Sequence, residues 1–279
     1  MSQGQADPRT LRGLKALLSR QGLRLKKGFG QHFLVDPNLL AFIVRSAGVG
    51  PGERVYEVGP GAGALTLTLA EAGADVVAVE KDVRLAPLLD AVLPKDRVEV
   101  VFADALGFPW EEVPEGSLFV SNLPYNIATP LLVRLLTSRR FRRLVVMVQR
   151  EVARRMMARP GEKDYGILSL RIAHHATVEK LRDVPPTVFF PRPEVTSTIV
   201  RIEPKDVPDD PPLFHLIEAA FRARRRTLVN NLEAAGYDKT RVLSALAALG
   251  LDSRVRGEAL SLAHFKRLRS ILAGAEPSR

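Results

Sequence analysis

Two short stretches hold residue types from which a group-transfer site can be built. Glu57-Val58-Gly59-Pro60-Gly61-Ala62-Gly63 is a glycine loop with a carboxylate at its entry, and Asn122-Leu123-Pro124-Tyr125 closes an apolar run about sixty residues later. The loop lets backbone amides approach a nucleotide-like ligand closely. The tetrad offers a side-chain amide, a proline-bent backbone with free carbonyls, and a ring on which a base can stack. Together they suit methylation of a planar exocyclic amine, a poor nucleophile because its lone pair is delocalised. If the Asn122 side-chain oxygen and the Leu123 carbonyl fix the two amine hydrogens, the nitrogen can turn towards sp³ while Tyr125 stacks on the extruded base. No metal and no strong base is required, since the methyl is taken from a sulfonium, a neutral thioether leaves, and the proton is lost afterwards. The other reading of the tetrad is an ordinary proline turn with a tyrosine covering the core.

The loop by itself does not choose its ligand, because Gly59-x-Gly61-x-x-Ala64 also satisfies the relaxed dinucleotide fingerprint. Glu57 favours S-adenosyl-L-methionine: its carboxylate would repel a pyrophosphate but suits an ammonium and a sulfonium. Glu80, about twenty residues on at the end of the next strand, can accept two ribose hydroxyls; its alternatives are a pair with Lys81 or a cap on the helix from Val83. Asp104 can accept from an adenine amino group, or simply hold a turn. A second aromatic source is Phe189-Phe190, between Pro185-Pro186 and Pro191-Arg192-Pro193, with one ring expected to face the base and core packing of both as the alternative.

Composition narrows the class. The chain has 279 residues, 46% of them apolar, enough for one substantial core and a smaller second one. It has no cysteine, which removes disulfides, Cys-based zinc sites and thiol nucleophiles. The histidines His32, His174, His175, His215 and His264 lack metal-ligand spacing, so no metal is expected. Apolar runs such as 39–44 are far shorter than a bilayer span, and the Arg-rich start shows no signal-peptide pattern. A cytoplasmic, soluble, monomeric enzyme is the expectation. Net charge is +10 and Arg outnumbers Lys about three to one, which favours a polyanionic partner or, less specifically, a generic Arg-rich surface. Basic clusters at 24–27, 139–143, 150–155 and 222–226 are candidates for RNA phosphates near the cleft.

The elements that must position these residues follow from periodicity. Residues 1–27 read as a basic extension carrying a short amphipathic helix capped by Thr10. A helix follows with Asp36 as N-cap, Pro37 at its first position and Gly48 as its stop. From Arg54, short β-branched runs alternate with helical stretches, which predicts an α/β Rossmann-like domain over 28–203. Its seven strands are expected at 55–58, 75–79, 98–102, 118–121, 144–149, 178–184 and 197–202, the last two as an antiparallel pair at the sheet edge. The Pro- and Asp-rich segment 204–212 reads as a linker, and 213–279 as a small all-α domain.

With Lys27-Gly28-Phe29-Gly30-Gln31-His32-Phe33-Leu34, the glycine loop, Asn122-Leu123-Pro124-Tyr125-Asn126 and Pro191-Arg192-Pro193-Glu194-Val195-x-Ser197 in this order, the chain closely resembles the ribosomal RNA adenine dimethyltransferases, in particular their small-subunit branch. The resemblance runs from about residue 24 to near the end. It implies N6,N6-dimethylation of two adjacent adenosines in a hairpin near the 3′ end of 16S rRNA, on the 30S subunit or its precursor, late in assembly. By motif position, His32, Leu34, Gly59, Gly61, Glu80, Asp104 and Asn122 would contact the cofactor together with Glu57, while Asn122, Leu123, Tyr125 and Phe189 would hold the base. The family residue at position 32 is usually Asn. The related branch that modifies 23S rRNA shares these motifs; the long C-terminal region and the stretch Phe221-Arg222-Ala223-Arg224-Arg225-Arg226 argue for the small-subunit branch. A binding or assembly factor without essential chemistry is the competing class, against which stand the intact Glu57, Asn122 and Tyr125.

Overall fold

The computed structural model describes residues 6–23 and 32–273. Helix α1 (Leu11–Arg20) is followed by a two-residue strand β1 (Phe33–Leu34), α2 (Pro37–Ala47), β2 (Arg54–Val58), α3 (Ala64–Glu71) and β3 (Asp75–Glu80). Next come α4 (Ala86–Val92), β4 (Val98–Phe102), β5 (Ser117–Asn122), α5 (Ala128–Ser138), β6 (Phe141–Gln149) and α6 (Arg150–Met157). The remaining elements are α7 (Ile167–His175), β7 (Ala176–Val184), β8 (Phe189–Phe190), β9 (Ser197–Pro204), α8 (Pro211–Ala220), α9 (Leu228–Glu233), α10 (Lys239–Ala248) and α11 (Leu262–Leu272). Among the described residues no helix is long and apolar enough to cross a membrane.

Local chemistry explains the helix ends. Thr10 caps α1 by accepting from Gly13, and Asp36 caps α2 by accepting from Leu39, with Pro37 at the first helical position. Gly48 ends α2 in the left-handed conformation, at φ 69°.

Two compact units divide the chain, one containing everything up to Ala153 together with Thr177–Pro204, the other Arg154–Ala176 and the residues from Lys205 on. This corrects the expected domain of 28–203: residues 154–176 belong with the C-terminal unit. The expected linker is also shorter, because Pro211 and Pro212 occupy the first turn of α8, where a missing N–H costs nothing, and Asp210 caps that turn by accepting from Leu213.

The first unit is a seven-stranded sheet in the order β4-β3-β2-β5-β6-β9-β7. The pairs β2–β3, β3–β4, β2–β5 and β5–β6 are parallel and β6–β9 is antiparallel. Strand β9 thus sits between β6 and the edge strand β7. The central strands are buried on both faces, hence the near-continuous apolar run Val76–Val79 of β3. One face carries Val55, Val76, Leu118, Val145 and Ile199 against α2 and α3. The other carries an aromatic cluster in which Trp110 meets Tyr56, Phe119 and Phe141 with ring centroids about 6 Å apart. Separately, β1 and β8 form a two-stranded antiparallel ribbon, pairing Phe33 with Phe190 and Leu34 with Phe189.

The second unit has its own core, built from α7 to α11 around Phe214, Leu228, Leu246 and Phe265. The buried Asn231 amide donates to the Ala220 and Ala223 carbonyls, at 2.8 and 3.1 Å, and so holds the turn that follows α8. His174 and His175 sit on α7 as expected and are buried.

Trp110 has no exposed surface, and its Nε1 donates to the Ala105 carbonyl at 2.8 Å, pinning the turn that follows β4. Trp110→Ala should therefore destabilise the protein by about 3–5 kcal/mol in chemical denaturation. A loss below about 1 kcal/mol would show that the cluster does not hold this face.

Candidate active site

The glycine loop leaves β2 and enters α3 through three left-handed residues, Gly59, Gly61 and Gly63, at φ 70°, 58° and 82°. A side chain would also crowd a neighbour at each of the three, on Gly63 the Leu93 side chain at 3.0 Å. A Cβ on Gly59 would lie 3.0 Å from Pro124 Cγ, and one on Gly61 would lie 2.9 Å from the Phe33 ring. The loop is therefore pressed between the tetrad on one side and the β1 ribbon on the other. Around it opens a cavity of about 310 Å³ whose walls include His32, Leu34, Glu57, Glu80, Asp104 and the whole tetrad. All the expected cofactor residues thus line one space.

Three acids face this cavity in different electrostatic settings. Glu57 is 2% exposed and accepts from the Thr66 hydroxyl at 2.6 Å. Burial pushes its pKa up to about 8; the Thr66 bond opposes the shift and the charge of Glu80 adds to it. Glu80 is also raised by burial, although its oxygens accept from the Asp82 and Gly61 amides at 2.8 and 3.4 Å. It does not pair with Lys81, and Asp82 rather than Glu80 caps the following turn. Asp104 is half exposed; Lys81 lies 2.7 Å from it and holds its carboxyl below the usual range. Its other oxygen accepts from Leu106 at 2.9 Å, so the turn role and the cavity position coexist. Thr66 gave no signal in the sequence, and Lys81, considered there as a partner of Glu80, meets Asp104 instead, since each finds its partner only through the βα fold.

The tetrad is held from several sides. Ser121, just before it, donates to the Val58 carbonyl at 2.8 Å and ties the end of β5 to the end of β2. The Asn122 amide nitrogen donates to the His32 carbonyl at 3.3 Å, and the Leu123 N–H donates to the Met147 carbonyl at 3.1 Å. The Tyr125 hydroxyl lies 2.7 Å from Ser197 Oγ, while its ring stacks on His32 with centroids 5.9 Å apart. His32 in turn places Nδ1 2.9 Å from the Pro191 carbonyl, so a neutral ring carries its proton on Nδ1. The residue where the resemblance expects Asn is therefore a hub joining the tetrad to the proline loop.

Two expectations need correction. Phe189 is 2% exposed and packs in the core with Leu34 and Ile199, and it is not in the cavity wall. In a strand, neighbours point to opposite faces, and pairing with β1 turns Phe189 inward and leaves Phe190 half buried beneath the Lys15 ammonium. The run 139–143 is not at the cavity but at the start of β6, the opposite end of the strands. There Arg140, Arg142 and Arg143 pair with Glu115, Glu53 and Glu203 at 2.7 to 2.8 Å. The cluster 24–27 lies outside the described residues. Arg150 is exposed at the C-terminal end of β6, whereas Arg154 lies in the second unit, 3.6 Å from Asp164. In 222–226, Arg224 donates to the Lys163 carbonyl at 2.9 Å, and Arg222, Arg225 and Arg226 are exposed.

Gly61→Ala should cost about 1–2 kcal/mol from its left-handed backbone alone, with a further loss from the Phe33 contact. Equilibrium unfolding measures this, and a variant as stable as the parent would mean that the loop relaxes freely.

The family model for ribosomal RNA adenine dimethylase matches residues 22–272. Over 268 residues the chain is 42% identical to the ribosomal RNA small subunit methyltransferase A of Moorella thermoacetica, a match covering 90% of this chain and 93% of that protein. Its fold is similar to a dimethyladenosine transferase from Plasmodium falciparum, with a TM-score of 0.73 at 25% identity over 87% of this chain and 98% of that one. It is also similar to the 23S rRNA methyltransferase ErmE, with a TM-score of 0.64 at 28% identity over 86% and 98%. With almost the whole chain matched and the expected motifs converging on one cavity, the protein belongs to the ribosomal RNA adenine dimethylase family and is an rRNA adenine dimethyltransferase.

Proposed function

We propose that this enzyme dimethylates N6 of two adjacent adenosines in a hairpin near the 3′ end of 16S rRNA, acting in the cytoplasm as a monomer on the 30S subunit or its precursor late in assembly. The observation that carries the chemistry is the Asn122 amide: its nitrogen is committed to the His32 carbonyl, which turns Oδ1 into the group available to accept from a target amine. The Leu123 carbonyl is the second acceptor, and Tyr125, braced by His32 and Ser197, provides the stacking surface. The small-subunit branch is supported by 42% identity to a small-subunit methyltransferase, against 28% to the 23S enzyme ErmE.

The donor set fits S-adenosyl-L-methionine. Burial raises the pKa of both Glu57 and Glu80, and the charge of Glu80 raises Glu57 further, an arrangement that a cationic ligand relieves and a pyrophosphate would worsen. Glu57 would hold the cationic amino acid end, Glu80 the ribose hydroxyls and Asp104 the adenine, with the glycine-loop amides between them. Bound there, the cofactor supplies an electrophilic methyl on a sulfonium.

Two measurements test this reading. Labelled methyl transfer to unmethylated 30S particles, with 50S particles as control, should place dimethyladenosine at adjacent adenosines of 16S rRNA. Asn122→Ala should reduce that rate on the order of a hundredfold while leaving the fold intact. Label on 50S particles would move the enzyme to the 23S branch, and particle binding without label would favour an assembly factor.

Glu57 makes a pH prediction. The unfolded chain releases this proton near 4.5 and the folded protein near 8, so between those values the folded state binds more protons and its stability falls as pH rises. A cation at Glu57 requires the ionised form. Binding of S-adenosyl-L-methionine should therefore release a proton below pH 8 and tighten as pH rises towards 8, and Glu57→Gln should bind weakly without this dependence. Calorimetry in buffers of different ionisation heat reads the proton directly, and a parent protein that releases none refutes the assignment.

A further inference from the structure

Helix α1 packs behind the wall of the active site. Leu14, Leu17 and Leu18 pack with Phe33, Ala62 and Leu88, and both Phe33 and Ala62 line the cavity. The helix is fixed at its start by the Thr10 cap and by Arg9, which pairs with Asp7 and Glu71. The segment before it lies so close that a Cβ on Gly13 would meet the Asp7 carbonyl at 2.0 Å.

The opposite side of α1 is cationic. Arg12, Lys15 and Arg20 are exposed, and among the described residues none is paired with a carboxylate. This differs from the distant end of the sheet, where Arg140, Arg142 and Arg143 each have a glutamate. Lys15 also lies over the Phe190 ring, 5.1 Å from its centroid, and Phe190 pairs with Phe33 of the cavity wall. Two residues further on is the exposed Arg192, in the loop whose Pro191 carbonyl meets His32. Lys15 therefore lies beside the ribbon whose Phe33 forms part of the cavity wall. Eight positions separate Arg12 from Arg20, about 12 Å along a helix, the length of a few nucleotides.

We propose that the outward face of α1, Arg12, Lys15 and Arg20, is an RNA-docking surface that binds backbone phosphates of the rRNA strand delivering the target adenosines. The assignment rests on the rRNA-methylating reading above. Because the same helix packs on the glycine loop through its other side, the docked strand and the cofactor loop share one support.

The test uses the full-length protein carrying Arg12→Gln, Lys15→Gln and Arg20→Gln together, with Arg142→Gln as a control at the far end of the sheet. Binding to an unmethylated 16S rRNA transcript is followed between about 50 and about 200 mM salt, alongside S-adenosyl-L-methionine affinity and methylation of 30S particles. Losing three phosphate contacts should make the slope of log affinity against log salt shallower by about two. Over that fourfold salt range the triple variant should lose roughly twentyfold less affinity than the parent. KM for the particle should rise, while kcat and cofactor affinity stay at parental values and Arg142→Gln matches the parent throughout. A triple variant with parental RNA affinity and slope overturns the assignment. So does weakened binding to 30S particles with unchanged binding to the transcript, which would make the partner a ribosomal protein. If the parent itself fails to methylate 30S particles, the proposed function fails instead, and the RNA-binding comparison still decides the role of α1.

Discussion

The parallel pairing of β2 with β5 is the constraint on which the site depends. From β2 the chain steps outward through β3 to β4, then returns to place β5 on the other side of β2. At such a reversal the loops leaving the two strands diverge to opposite faces and leave a crevice between them. Here those loops are the glycine loop and the tetrad, brought together by the register of Val55 with Leu118 and Tyr56 with Phe119. The Ser121 hydroxyl bond to Val58 and the contact between Gly59 and Pro124 then set the two loops within van der Waals reach. The two loops proposed to hold cofactor and amine are adjacent because the sheet changes direction at this point.

Electrostatics in the crevice complement that geometry. Burial raises the pKa of both Glu57 and Glu80 in the free protein, a cost that a cationic ligand offsets. The tetrad side, the proposed amine site, is held by committed hydrogen bonds instead. His32 uses its carbonyl for Asn122, its Nδ1 for Pro191 and its ring for Tyr125, so the acceptor and the stacking surface are oriented before substrate arrives. Preorganisation suits a reaction whose difficulty is to bend a planar amine out of conjugation.

The surface sorts its charge by location. At the starts of the strands arginines are neutralised by glutamates, which keeps that end soluble without attracting a polyanion. On α1 and in the proline loop, Arg12, Lys15, Arg20 and Arg192 have no carboxylate partner among the described residues. In the second unit the turn of 222–226 is held from below by Asn231, which keeps its arginines outward.

Much of this was legible from the chain. Strand positions, the Asp36–Gly48 helix and its caps, and the alternation of strands with helices ahead of a helical part follow from side-chain periodicity and from caps whose donors and acceptors lie within a few residues. What the chain could not disclose depends on residues that meet across distance. Whether Phe189 or Phe190 faces inward is decided by the register with β1, and the assignment of 154–176 to the second unit is decided by which core Tyr165 and Leu170 fill. Glu57 could be read as a carboxylate at a ligand, but its raised pKa and its bond to Thr66 exist only once α3 folds back over β2. The sequence by itself determined which chemical groups the protein owns and the local elements that carry them. The tertiary structure alone decided which groups share a dielectric, a face and a partner, because desolvation and pairing depend on distances in space rather than along the chain.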